Sequence, residues 1–65
     1  MKIDSLKIKL ILAEKGMTRT ILSEKCGLSR QSISTIMCRG TCSVVSAGKI
    51  AIGLGVPVSE IVKEE

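Results

Sequence analysis

Two short helices joined at a glycine can be read in Thr18-Arg19-Thr20-Ile21-Leu22-Ser23-Glu24-Lys25-Cys26-Gly27-Leu28-Ser29-Arg30-Gln31-Ser32-Ile33-Ser34-Thr35-Ile36. Thr18 and Ser29 are hydroxyl residues of the kind that accept a hydrogen bond from the first free amides of a helix. Ile21, Leu22, Lys25 and Cys26 recur at helical spacing behind Thr18, and Ile33, Ile36 and Met37 do so behind Ser29. Two helices that meet at a steep angle through a short turn need a small residue where their backbones approach, and Ser23 supplies it. The turn needs a residue that tolerates positive φ, and Gly27 supplies that. Leu22, Cys26, Leu28, Ile33 and Ile36 then fill the wedge between the helices and face the remaining core. Arg30, Gln31, Ser34 and Thr35 are left outward, and Arg and Gln are the side chains that pair in bidentate fashion with guanine and adenine.

Outward from this unit, glycines and capping residues divide the rest of the chain into helix-sized segments. A first helix is expected from about Asp4 or Ser5 to Lys15, stopped by Gly16, with Ile8, Ile11, Leu12 and Lys15 on one face. Leu6 and Leu10 fall on another side, where Ile61 or Val62 of the closing segment is expected to cover them; a dimer or partner surface is the alternative. A fourth helix begins near Ser43 and aligns Val44, Ala47, Ile50, Ala51 and Leu54. Gly53-Leu54-Gly55-Val56-Pro57 reads as punctuation, after which Val58, Ile61 and Val62 form a fifth short helix opened by Pro57. The expectation is a compact all-α fold of five helices. It forms one domain over residues 1–65, with the helix-turn-helix at about 18–38.

The run from Thr18 to Ile36 resembles the helix-turn-helix of the Cro/phage-repressor (XRE) family, whose domains are lambda-repressor-like. Ala13-Glu14-Lys15-Gly16-Met17-Thr18 resembles the end of the family's first helix, Ala47 to Val56 its fourth, and Val58-Ser59-Glu60-Ile61 its closing one. The resemblance implies a DNA-binding regulator whose third helix enters the major groove, usually as a homodimer on paired half-sites. It places Arg30, Gln31 and Thr35 at base-reading positions, with Ser34 beside them. It assigns Arg19 and Thr18 to the phosphate backbone; Arg19 stands where the family usually has Gln, a change that still suits phosphate. Ser32, and Arg39, Thr41 and Ser43 after the third helix, are further phosphate candidates. Two departures accompany the match: Ser23 replaces the usual Ala, and Met37, Cys38 and Arg39 make the interval between Ile36 and Gly40 one residue longer than is commonest.

Composition agrees with this reading and removes others. The chain of 65 residues has 10 Lys+Arg against 6 Asp+Glu, and residues 1–59 hold nine of those bases with three acids, a balance of +6. A basic body with acids gathered at the end (Glu60, Glu64, Glu65) is the charge footprint of a DNA binder. Histidine is absent, which excludes a histidine general base, a Ser-His or Cys-His nucleophile pair and a mixed Cys/His zinc site. Phe, Tyr and Trp are absent too, so there is no stacking platform for single strands. An enzyme is not expected, nor is a cofactor, a metal or a small-molecule substrate. Ile50 to Val58 is the longest nearly uncharged run, about half of a membrane span. No signal-peptide core is visible, so a cytoplasmic protein is expected. Cys26, Cys38 and Cys42 read as buried free thiols of a reducing compartment; a redox or soft-metal role for Cys38 and Cys42 is the sharper alternative.

Double-stranded DNA is thus the expected partner, bound at an operator by a repressor of the type often encoded on prophages or mobile elements. The alternative is a protein-interaction module or small partner subunit that uses the same fold without specific DNA reading. Under that alternative Arg30→Ala is silent and Leu10→Asp abolishes complex formation.

Overall fold

A computed structural model describes residues 1–63 and places four α-helices in chain order: α1 (Ser5–Lys15), α2 (Arg19–Cys26), α3 (Arg30–Arg39) and α4 (Val44–Leu54). Each begins at a side-chain cap. Asp4 Oδ1 accepts from the Lys7 amide at 3.1 Å, Thr18 Oγ1 from Ile21 at 3.2 Å, Ser29 Oγ from Ser32 at 3.1 Å and Ser43 Oγ from Ser46 at 3.2 Å. Each ends on a glycine in the left-handed region, Gly16, Gly27, Gly40 and Gly55 in turn. Local sequence therefore sets both ends of every α-helix, through amides satisfied at the start and a residue without Cβ at the stop.

The fifth helix is a correction. Val58–Glu60 is a single 3-10 turn, so the fold has four α-helices rather than five among the described residues. Pro57 precedes the turn without a side-chain cap, and β-branched Val58, Ile61 and Val62 favour helix weakly. The backbone beyond the turn is also committed elsewhere. Ile61 carbonyl accepts from the Asp4 amide at 2.8 Å, the Lys63 amide donates to Lys2 carbonyl at 3.1 Å, and Ile3 and Val62 form a β-bridge. The first residues thus run as a strap between the chain's closing segment and the loop after α3, where Ile3 amide donates to Gly40 carbonyl at 2.7 Å and Cys42 amide to Met1 carbonyl at 3.0 Å. Ser5 Oγ adds a bond to Met37 carbonyl at 2.7 Å, in the last turn of α3.

The core is built from every helix: Ile8 and Leu12 of α1, Leu22 and Cys26 of α2, Ile33 and Met37 of α3, and Ala47, Ile50, Ala51 and Leu54 of α4, closed by Ile3 and Ile61. Each fully buried Ile or Leu contributes roughly 1.5–3 kcal/mol. Leu28 and Ile36 are half-buried at its margin. Three expectations change here. Val44 is exposed rather than inward, because it is the first residue of α4 and the buried stretch of that helix begins only at Ala47. Leu6 and Leu10 stay exposed: Ile61 is buried in the core and Val62 is bridged to Ile3, and neither covers them. Gly53, read above as punctuation, lies buried inside α4 against α2: a Cβ there would sit 2.8 Å from Cys26 Cβ. No helix among the described residues is long and apolar enough to cross a membrane.

Candidate nucleic-acid interface

The α2–α3 unit presents one wall of exposed polar side chains. α3 starts at Arg30, so its first turn offers Arg30, Gln31 and Ser32 to solvent, and Thr35 follows Gln31 by one helical turn on the same stripe. Cys38 continues that stripe one turn further and is exposed. The extra residue between Ile36 and Gly40 is absorbed as helix, since α3 runs through Arg39 before Gly40 caps it. Arg39 therefore projects from the end of α3 and not from a loop. No acidic residue occupies the first turn of α2, α3 or α4, which leaves the positive ends of these helices uncompensated.

Two hydrogen bonds cross between α2 and α3. Arg19 Nη1 donates to Ser34 Oγ at 3.3 Å, and Arg30 Nη1 donates to Thr20 Oγ1 at 3.3 Å. Each guanidinium is thereby steadied by a hydroxyl of the opposite helix, while its remaining N–H groups stay available to a ligand. Arg19, Thr20, Arg30, Gln31 and Ser34 enclose an open groove of about 400 Å³ on the α2 side of α3. A second open groove of about 390 Å³ runs along the other flank, lined by Leu28, Gln31, Ser32, Thr35, Ile36 and Ser46, with Ser29 at its end. Gln31 borders both and forms the crest between them. The first groove carries two cations; the second carries no charged residue.

The remaining expected site residues divide by location. Thr18 and Ser43 spend an oxygen lone pair on capping, and Ser43 also donates to Ser46 Oγ at 3.1 Å. Ser32 Oγ accepts from Ser29 Oγ at 2.9 Å. Thr41 is exposed but bridged through its backbone to Lys2. Ser34 is half-buried and engaged with Arg19, so it is less open to a base edge than Gln31 or Thr35. Thr20 was not singled out from sequence. Its role comes from a contact ten residues along the chain, and no local pattern distinguishes it from any exposed threonine of a first turn.

The cysteines are free thiols, but only Cys26 is buried as expected; Cys42 is half-buried in the loop after α3, and Cys38 is exposed because it falls on the outer stripe of α3. Burial pushes the Cys42 thiol up from its ordinary value, opposed in part by the nearby amino terminus. No group of three His, Cys, Asp or Glu side chains among the described residues is arranged to hold a metal.

Among protein-family models, the Cro/C1-type HTH DNA-binding domain matches residues 7–63, an interval that contains all four α-helices except the first two residues of α1. Comparison with curated proteins and with solved structures finds no match.

Proposed function

Because the chain belongs to the Cro/C1-type HTH DNA-binding domain family, we propose that it is a sequence-specific regulator that places α3 in the major groove of duplex DNA and represses by occupying an operator. The observation that carries this reading is the α3 wall itself: Arg30, Gln31 and Thr35 exposed together, with Arg19 held beside them on Ser34 and no acid lining either groove. Arg30, Gln31 and Thr35 read bases, with Ser34 as the minor member of that set. Arg19, Arg39, Thr18, Ser32, Thr41 and Ser43 hold phosphates on either side of the groove. Residues 1–65 work as one domain, and two copies bind paired half-sites as a homodimer.

Phosphate neutralisation supplies most of the affinity and makes it fall with salt. Discrimination comes from the base edges, about 1–3 kcal/mol for each good bidentate pair. The test is fluorescence anisotropy with the DNA upstream of its own coding sequence and with a scrambled duplex, each at low and physiological salt. Tight binding to the upstream duplex at physiological salt, with the scrambled one released, is expected of an autoregulating repressor. Equal binding to both that salt erases, repeated with duplexes selected from a random pool, overturns sequence-specific recognition.

A further inference from the structure

Away from α3, an open groove of about 400 Å³ lies where the ends of α1, α2 and α4 come together. The close of α4 lines it through Gly53 to Gly55, and Met17 lines it half-buried. Ile52 also borders it and is 78 % exposed, more than any other large apolar side chain among the described residues. Single apolar side chains are ordinary on a protein surface. Ile52 differs because it shares its recess with Met17 and with two cations, Lys15 and Lys25. Both lysines stand in the last turns of their helices, where the negative end of a helix favours a cation. A Cβ at Gly55 would lie 3.6 Å from Lys15 Nζ, so that side chain reaches across to the end of α4. No carboxylate lines the groove, and neither lysine has an ion-pair partner among the described residues. Lys49, exposed about a turn before Ile52, adds a further positive charge nearby.

We infer that this groove docks an acidic amphipathic helix of a partner protein, which sets an aliphatic side chain against Ile52 and Met17 and carboxylates on Lys15 and Lys25. Charge decides between the occupants. A second copy seated here about a two-fold axis would bring its own Lys15 and Lys25 against the same pair, whereas an acidic segment meets them with opposite sign. None of the lining residues belongs to α3, so docking leaves Arg30, Gln31 and Thr35 uncovered. The groove is thus separate from the DNA-reading wall, and a chain with both would carry an acidic partner to its duplex.

The probe is a fluorescein-labelled helical peptide with leucines along one face and glutamates along the other, followed by anisotropy. Its control is the same peptide with lysine in place of every glutamate. The acidic peptide should bind and the basic one should not. Ile52→Ser changes an exposed residue and leaves the core alone; it should weaken binding at least about tenfold, the lower bound for one buried aliphatic side chain. Lys15→Gln and Lys25→Gln should each weaken it about two- to fivefold. Excess duplex DNA of arbitrary sequence should leave the peptide bound. Binding that Ile52→Ser leaves intact overturns the docking site, and displacement by that DNA would then place the peptide on Arg19 and Arg30. Equal binding of both peptides, or of neither, overturns it as well. Self-association of the chain in sedimentation, abolished by Ile52→Ser, assigns the groove to a second copy and also overturns it.

Discussion

Replacing Gly53 by alanine tests how α2 and α4 are held together, and Gly48, on the same helix, is its control. A Cβ at Gly53 would lie 2.8 Å from Cys26 Cβ, 3.0 Å from Leu22 Cδ1 and 3.2 Å from the Cys26 amide nitrogen. Carbon atoms rest at about 3.5–4.0 Å, so the closest approach is short by roughly 0.7 Å. Leu22 can swing its terminal methyl aside. Cys26 cannot, because the crowded atoms are its Cβ and its backbone nitrogen, and relief requires α2 to move off α4. Forcing one extra carbon into such a contact costs about 1–3 kcal/mol. Alanine recovers roughly 0.5–1 kcal/mol of helix preference, leaving the steric term ahead. Because Cys26 cannot yield, the upper half of the steric range applies, about 2–3 kcal/mol, for a net loss of roughly 1–2.5 kcal/mol. At about 4–8 °C per kcal/mol for a domain of this size, Gly53→Ala should melt roughly 4–20 °C below the parent. At Gly48 an added Cβ meets nothing within 4 Å, so only the helix preference acts and Gly48→Ala should melt roughly 2–8 °C higher. Thermal unfolding followed by circular dichroism at the helix band reads both. If Gly53→Ala melts at or above the parent, the close contact between α2 and α4 is not a constraint and the reasoning fails.

The other expectations are more direct. Arg19→Ala should weaken binding to all duplexes alike and reduce the salt slope by about 1, whereas Gln31→Ala should cost about 1–3 kcal/mol on the selected sequence and relax preference at its base pair; anisotropy across a salt series separates them. An aromatic disulfide reagent at pH 8 should find Cys38 first, Cys42 more slowly because its raised pKa leaves less thiolate, and Cys26 only on unfolding. Saturating operator DNA should protect Cys38, which shares a stripe with Gln31 and Thr35; full reactivity in the complex would contradict α3 as the reading helix. Ser29→Ala removes the cap of α3 and should lower stability by about 1 kcal/mol, seen as a melting point roughly 4–8 °C lower.

Helix boundaries were legible in the sequence because their signals are local. Asp4, Thr18, Ser29 and Ser43 each accept from the amide three residues ahead, and Gly16, Gly27, Gly40 and Gly55 stop their helices by their own φ. The capping pattern needs no tertiary partner, so reading it needs none either. What escaped depends on contacts between distant residues. Gly53 looks the same in sequence whether it ends a helix or lets another helix approach. The closing segment carries a helical spacing of Val58, Ile61 and Val62, yet its backbone is claimed by Ile3 and Asp4 from the far end of the chain. At the site, the wall of Arg30, Gln31 and Thr35 followed from the period of α3. The steadying of Arg30 by Thr20 did not, since it depends on the angle at which α2 crosses α3.

The strap formed by residues 1–3 has a consequence for cooperativity. Chain ends ordinarily fray on their own, at little cost to the rest of a domain. Here the Ile3 amide is bound to Gly40, Met1 carbonyl to Cys42 and Lys2 carbonyl to Lys63, so the beginning of the chain, its close and the exit from α3 share one set of hydrogen bonds. All three fall on consecutive residues, and Ile3 among them is buried in the core, so the strap cannot peel away without exposing Ile3. The end of α3 is thereby tied to the longest loop closure among the described residues, which pays its entropy only when residues about sixty apart are both in place. Such a domain does not loosen by degrees around its reading helix: fraying at the termini and loss of α3's anchorage belong to the same unfolding unit.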